Sequence, residues 1–191
     1  MYTRRIGRDA HRQSGVSLIE LVMFIVIVSV GVAGILSVMN VTTKSSADPL
    51  ARKQALAIAE SLLEEIELQA FTFCDPDDAN ATTAADASDC ATTVQGFTST
   101  PGESRDAEPR FDNVGDYGGF LMNPVRDIEG TTIAGLGGYE VSVALTQVGN
   151  SAFSLPNAGD AVRIDVTVTG PGDTSLTLTG YRFRYAPNAV P

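Results

Sequence analysis

The residues that could do chemistry fall into four sets. Glu20 is a lone acid at the head of an apolar run, since Leu21 to Met39 gives 19 residues without a formal charge. Cys74 and Cys90 are the only cysteines and could form one disulfide, stay as two thiols or supply half of a metal site. Asp75, Asp77 and Asp78 follow the first cysteine, and Asp112, Asn113 and Asp116 lie further along. Oxygens of this kind are calcium ligands, but neither set has the spacing or the terminal Glu of an EF-hand loop. Solvated acidic loops are the simpler expectation for both sets.

These residues depend on the elements that carry them. As a helix, Leu21 to Met39 would be about 28 Å long, close to the hydrocarbon thickness of a bilayer. Arg4, Arg5, Arg8 and Arg12 precede it, the flank that the positive-inside rule keeps in the cytoplasm. The expectation is a single-pass membrane anchor with the rest of the chain outside the cytoplasm. At the edge of hydrocarbon an ionised Glu20 needs a partner or a proton. Alternatively it sits at headgroup depth, stabilised by the helix N-terminus. Gly31 and Gly34, with Ser29 and Ser37, would permit close helix packing or simply loosen the anchor.

Asp48-Pro49 reads as a cap and first turn, so a kink or brief interruption of the long helix is expected near Ala47. Beyond it Ala55, Ala59, Leu62, Ile66 and Ala70 recur at helical spacing, while Glu60, Glu64, Glu65 and Glu67 point mostly elsewhere. Residues 74–138 are turn-rich and lack a regular period. Two alternating runs follow, Tyr139, Val141, Val143, Leu145 and Val162, Ile164, Val166, Val168. Gly170-Pro171-Gly172-Asp173 marks a hairpin turn, and Gly180 reads as a parity change with a bulge or bend. The fold class is α+β: a long N-terminal helix, membrane-spanning in its first half and amphipathic in its second, packed on a C-terminal antiparallel sheet. The expected segments are 1–15 leader, 16–44 apolar helix, 45–73 amphipathic helix, 74–138 loops and 139–191 sheet.

At 191 residues the chain has room for one anchor and one domain. The formal charge is -10, and beyond residue 15 nine basic residues face 22 acids, which excludes the basic patch that nucleic-acid binding needs. The only histidine is His11, so a Cys/His zinc site is not expected. In an oxidising compartment Cys74 and Cys90 are expected to pair, a short loop whose closure stabilises by about 3 kcal/mol. No phosphate loop or serine nucleophile elbow is evident; the chain is not expected to be an enzyme and calls for no cofactor.

The sequence Gly15-Val16-Ser17-Leu18-Ile19-Glu20-Leu21-Val22 behind a basic leader resembles the processing site of the type IV pilin and pseudopilin superfamily. The resemblance implies a prepilin peptidase that cuts after Gly15 and methylates Val16, which stands where the family usually has Phe. Glu20 would then be the fifth residue of the processed chain, paired with the amine of Val16 on a neighbouring subunit or with its own before assembly. Partners would be that peptidase, other pilin subunits and the pilus assembly machinery, met in the bacterial inner membrane. Ser46-Ala47-Asp48-Pro49-Leu50, the Cys-bearing loop and Arg110 to Phe120 resemble, more loosely, the D-type minor pilins of the mannose-sensitive haemagglutinin pilus. The implied function is a structural minor pilin at the tip or in priming. A pseudopilin of a type II secretion system and an anchored adhesion domain that never polymerises are the alternatives.

Overall fold

A 51-residue helix, α1 (Leu18–Leu68), runs into a domain that closes with four strands. The structure is a computed structural model that describes residues 15–184, without the side chains of residues 40–48. Arg4, Arg5, Arg8, His11, Arg12 and the side chain of Asp48 lie outside the described residues. The chain divides into two units, Met1–Ser45 and Ser46–Pro191.

In the first unit, Ser17 opens α1: the Glu20 N–H donates to Ser17 Oγ at 3.3 Å and the Leu21 N–H to its carbonyl at 3.1 Å. Leu18–Met39 has a mean hydropathy of 2.8 and is long and apolar enough to cross a membrane. Every residue from Val16 to Met39 is exposed within this chain.

Of the kink or brief interruption expected near Ala47, the interruption does not occur, and Pro49 lies inside α1. A proline removes one N–H from the ladder. The Ala-, Leu-, Lys-, Arg- and Glu-rich sequence that follows has high helix propensity and carries the helix on.

In the second unit, α1 buries Ala55, Ile58, Ala59, Leu62, Leu63 and Ile66. They pack on an antiparallel sheet of order β1 (Leu121–Met122), β2 (Glu140–Gln147), β3 (Ala161–Gly170) and β4 (Thr174–Phe183). The alternation places Val141 and Val143 of β2 and Val162, Ile164, Val166 and Val168 of β3 in the core. The layout is α+β. β1 falls in the stretch read as loop, because a two-residue strand is too short to show a period. It exists through its pairing, Leu121 with Ser142 and Met122 with Val141.

Gly180 corrects a second expectation. Pairing of β3 with β4 is continuous from Ala161–Phe183 to Gly170–Thr174, so there is neither bulge nor parity change. Leu176, Leu178 and Gly180 share the inner face, and Tyr181 and Phe183 point outward against Phe153. A Cβ on Gly180 would strike Glu67 Oε1 and lie 2.8 Å from Leu63 Cδ1. The glycine therefore marks where helix and sheet approach closely.

Candidate functional site

Two regions of the described chain could do chemistry. In the first, Gly15, Val16 and Ser17 precede α1 in non-helical backbone, and all three are exposed. The Gly15–Val16 bond is thus accessible within this chain, and Glu20 occupies the first helical turn. A carboxylate in the first turn is favoured by the positive end of the helix dipole. Ser17-x-x-Glu20 is also the sequence pattern of a capping box, a signal legible in the sequence. Beyond their own stretch of helix backbone, Gly31 and Gly34 have no atom within 4 Å of where a Cβ would stand, and Ser29 Oγ donates to the Ile25 carbonyl at 2.6 Å.

The second region is the loop layer after α1. Cys74 and Cys90 form a disulfide at a sequence separation of 16. Cys74 also pairs with Val94, and the Asp75 N–H donates to the Thr93 carbonyl at 3.1 Å. The three aspartates behind Cys74 then separate by role. Asp78 accepts from the backbone N–H groups of Asn80 (2.8 Å), Ala91 (3.0 Å), Thr92 (2.6 Å) and Thr93 (2.8 Å). These bonds, Thr93 foremost, hold its pKa far below the usual carboxylate value. Asp78 is buried and closes the disulfide loop, so a solvated acid is the wrong description for it.

The Asp112, Asn113 and Asp116 set divides in the same way. Asn113 caps a turn of 3-10 helix at Val114–Tyr117 and shares a reciprocal capping box with Asp116. Asp116 Oδ1 also accepts from Gln95 Nε2 at 3.0 Å and from the N–H and Oγ1 of Thr100 at 3.0 and 3.1 Å. Both side chains are buried and committed to the fold.

What remains of the two sets converges. Asp75, Asp77 and Asp112 meet Glu103, each offering a carboxylate oxygen, with all four oxygens within 4.8 Å of one another. Glu103 is absent from the sequence reading because tertiary contacts bring it in. Asp116 fastens Thr100, and the turn that follows has Gly102 at φ 103°, in the left-handed region that suits glycine. The Glu103 N–H closes this turn on the Thr100 carbonyl at 3.1 Å. No isolated motif encodes that path.

Electrostatically the four carboxylates are poorly compensated. Among the described residues none of them has an ion pair. Asp75 is 2% exposed and its Oδ2 is buried without a hydrogen-bond partner, as are Glu103 Oε2 and Asp112 Oδ1. Burial, then repulsion from Asp116, Asp112, Asp75 and Asp77, raises the Glu103 pKa to about 8. Burial, then Asp75, Asp116 and Asp77, raises that of Asp112 to about 7. An all-oxygen set of this kind is suited to a hard cation, and these are the residues that could hold one.

No family model, no curated protein and no solved structure matches the chain.

Proposed function

We propose that this chain is a structural minor pilin of a type IV, mannose-sensitive-haemagglutinin-like pilus, cut after Gly15 by prepilin peptidase. It assembles through its N-terminal helix and presents the Ser46–Pro191 unit outside the cytoplasm. The observation that carries the reading is the junction itself. An exposed Gly15–Val16 bond stands two residues ahead of an apolar helix whose membrane-length segment carries one acid, Glu20, in its first turn. In a fibre, the exposed apolar surface of Leu18–Met39 would be covered by the helices of neighbouring subunits, and Glu20 by the amine of a neighbour's Val16. An α+β unit with an amphipathic helix on an antiparallel sheet is the pilin-like layout.

N-terminal mass measurement of the chain from membranes tests the reading. The expected terminus is Val16, and Gly15→Ala should block the cut. A Met1 or Tyr2 terminus, or a Glu20→Ala chain that enters fibres as well as wild type, would overturn it.

A further inference from the structure

We infer that Asp75, Asp77, Glu103 and Asp112 bind one calcium ion, which joins the disulfide loop to the turn at Glu103 and to the segment entering the Val114–Tyr117 turn. The inference does not depend on the pilin reading. It starts from placement: three stretches of chain, far apart in sequence, bring four carboxylates to one point. Like charges do not gather without compensation, and the described residues offer no ion-paired cation there.

The second observation is Asp75. Its carboxylate is nine-tenths buried, and Oδ1 is occupied by the Asp77 N–H at 2.9 Å. Oδ2 is buried and has no partner, and two other residues of the cluster each hold a buried, unpartnered oxygen, Glu103 Oε2 and Asp112 Oδ1. A buried, unsatisfied carboxylate oxygen is costly, and three on residues of one cluster mark a place that a cation would satisfy.

Calcium is favoured over other metals by the donor set and the spacing. All the donors are carboxylate oxygens, both cysteines are in the disulfide, and the four ligands include neither His nor Cys. Calcium holds oxygens at about 2.3–2.6 Å, so opposite ligands lie about 4.6–5.2 Å apart, a span that matches a cluster within 4.8 Å. Magnesium, at about 2.0–2.1 Å, needs a tighter octahedron and keeps several waters. Four carboxylates, each able to bind through one or two oxygens, cover calcium's usual six to eight ligands.

The ion would fix Asp75, one residue after Cys74, to Asp112, one residue before the capping Asn113. Binding should therefore order the loops and not only fill a surface notch.

The experiment uses the full chain in detergent micelles, stripped with chelator, titrated with calcium chloride and in parallel with magnesium chloride in a calorimeter. Thermal unfolding is followed with and without calcium. The expected result is a single saturable site with a Kd of about 1 mM or tighter, a thermal midpoint raised by about 5 °C or more at saturation, and much weaker magnesium binding. Asp112→Asn and Glu103→Gln should lose about tenfold or more in affinity while unfolding no earlier than metal-free wild type. Asp77 is the exposed member of the set, so Asp77→Asn supplies a variant whose folding is not at stake. Glu60→Gln, on the exposed face of α1, should bind as wild type. Absence of calcium heat and of a thermal shift at about 10 mM calcium would overturn the inference. So would Asp77→Asn and Asp112→Asn chains that bind calcium like wild type, or magnesium binding as tight as calcium.

Discussion

Glu65 and Arg105, forty residues apart, meet as a fork: Arg105 Nε and Nη2 each donate at 2.7 Å to one of the two carboxylate oxygens of Glu65. Tyr117 Oη donates to the same carboxylate at 2.8 Å, and Arg105 Nη1 reaches the carbonyls of Arg126 and Asp127 at 3.2 Å. One guanidinium thus joins the amphipathic half of α1 to two loops. Arg105 is 9% exposed and Glu65 21%, which sets the pair apart from surface ion pairs. Arg105→Ala strands a carboxylate and two carbonyls and should cost about 2–3 kcal/mol. Denaturant unfolding of the two single variants and the double variant would measure this; a coupling below about 0.5 kcal/mol would place the pair with surface bridges.

Glycines at close backbone approaches should be the least replaceable. A Cβ on Gly115 would run into the Gly96 carbonyl oxygen, and one on Gly118 into that of Phe97. These obstacles are main chain and can yield only by moving the loop. Gly118→Ala should therefore cost about 2–3 kcal/mol, whereas Gly180→Ala meets only the movable ends of Glu67 and Leu63 and should cost about 1 kcal/mol. Thermal midpoints of the two variants should fall in that order.

Asp78 makes acid stability a local property. Its folded pKa is depressed below the ordinary 3.8, so its contribution is present above that value and is lost as pH falls toward the folded pKa. Asp78→Asn should lower the thermal midpoint at pH 7, because a neutral amide presents one acceptor where two oxygens receive five donors. The gap between wild type and variant should narrow progressively below about pH 4. A gap that stays constant from pH 7 to about pH 3 would contradict this assignment.

The Cys74–Cys90 bridge closes a loop of 16 residues' separation, for which chain entropy gives about 3 kcal/mol. A Cys74→Ser and Cys90→Ser double variant should lose about that much in denaturant unfolding. Among the described residues the hydrogen bonds and ion pair of Glu65 and Arg105 do not involve Cys74 or Cys90, and losses from the two changes should add within about 0.5 kcal/mol.

The core was legible where periodicity reports burial directly. Ala55, Ala59, Leu62, Ile66 and Ala70 are all buried, and the alternating valines of β2 and β3 face inward. The bulge expected at Gly180 is absent; an isolated glycine in a strand signals either a bulge or a close neighbour, and only the helix on the sheet distinguishes them. Glu65 reads in the sequence as one of four acids off the apolar face, since nothing in its local sequence announces Arg105. For the acidic loops, local sequence carried the cap of Asn113 and Asp116 in its Asn-x-x-Asp spacing. It carried no trace of Glu103, which tertiary contacts bring beside Asp112.

Chain order also constrains how the domain comes together. The apolar face from Ala55 to Ile66 emerges from synthesis well before Val141, Val143 and β3, the partners that cover it. β2, β3 and β4 are sequence neighbours joined as successive antiparallel pairs and can assemble locally once made. The helix must wait, with its hydrophobic stripe uncovered, for the whole loop layer to be translated. That interval is when the nascent chain is most exposed to aggregation, and it ends when the sheet docks.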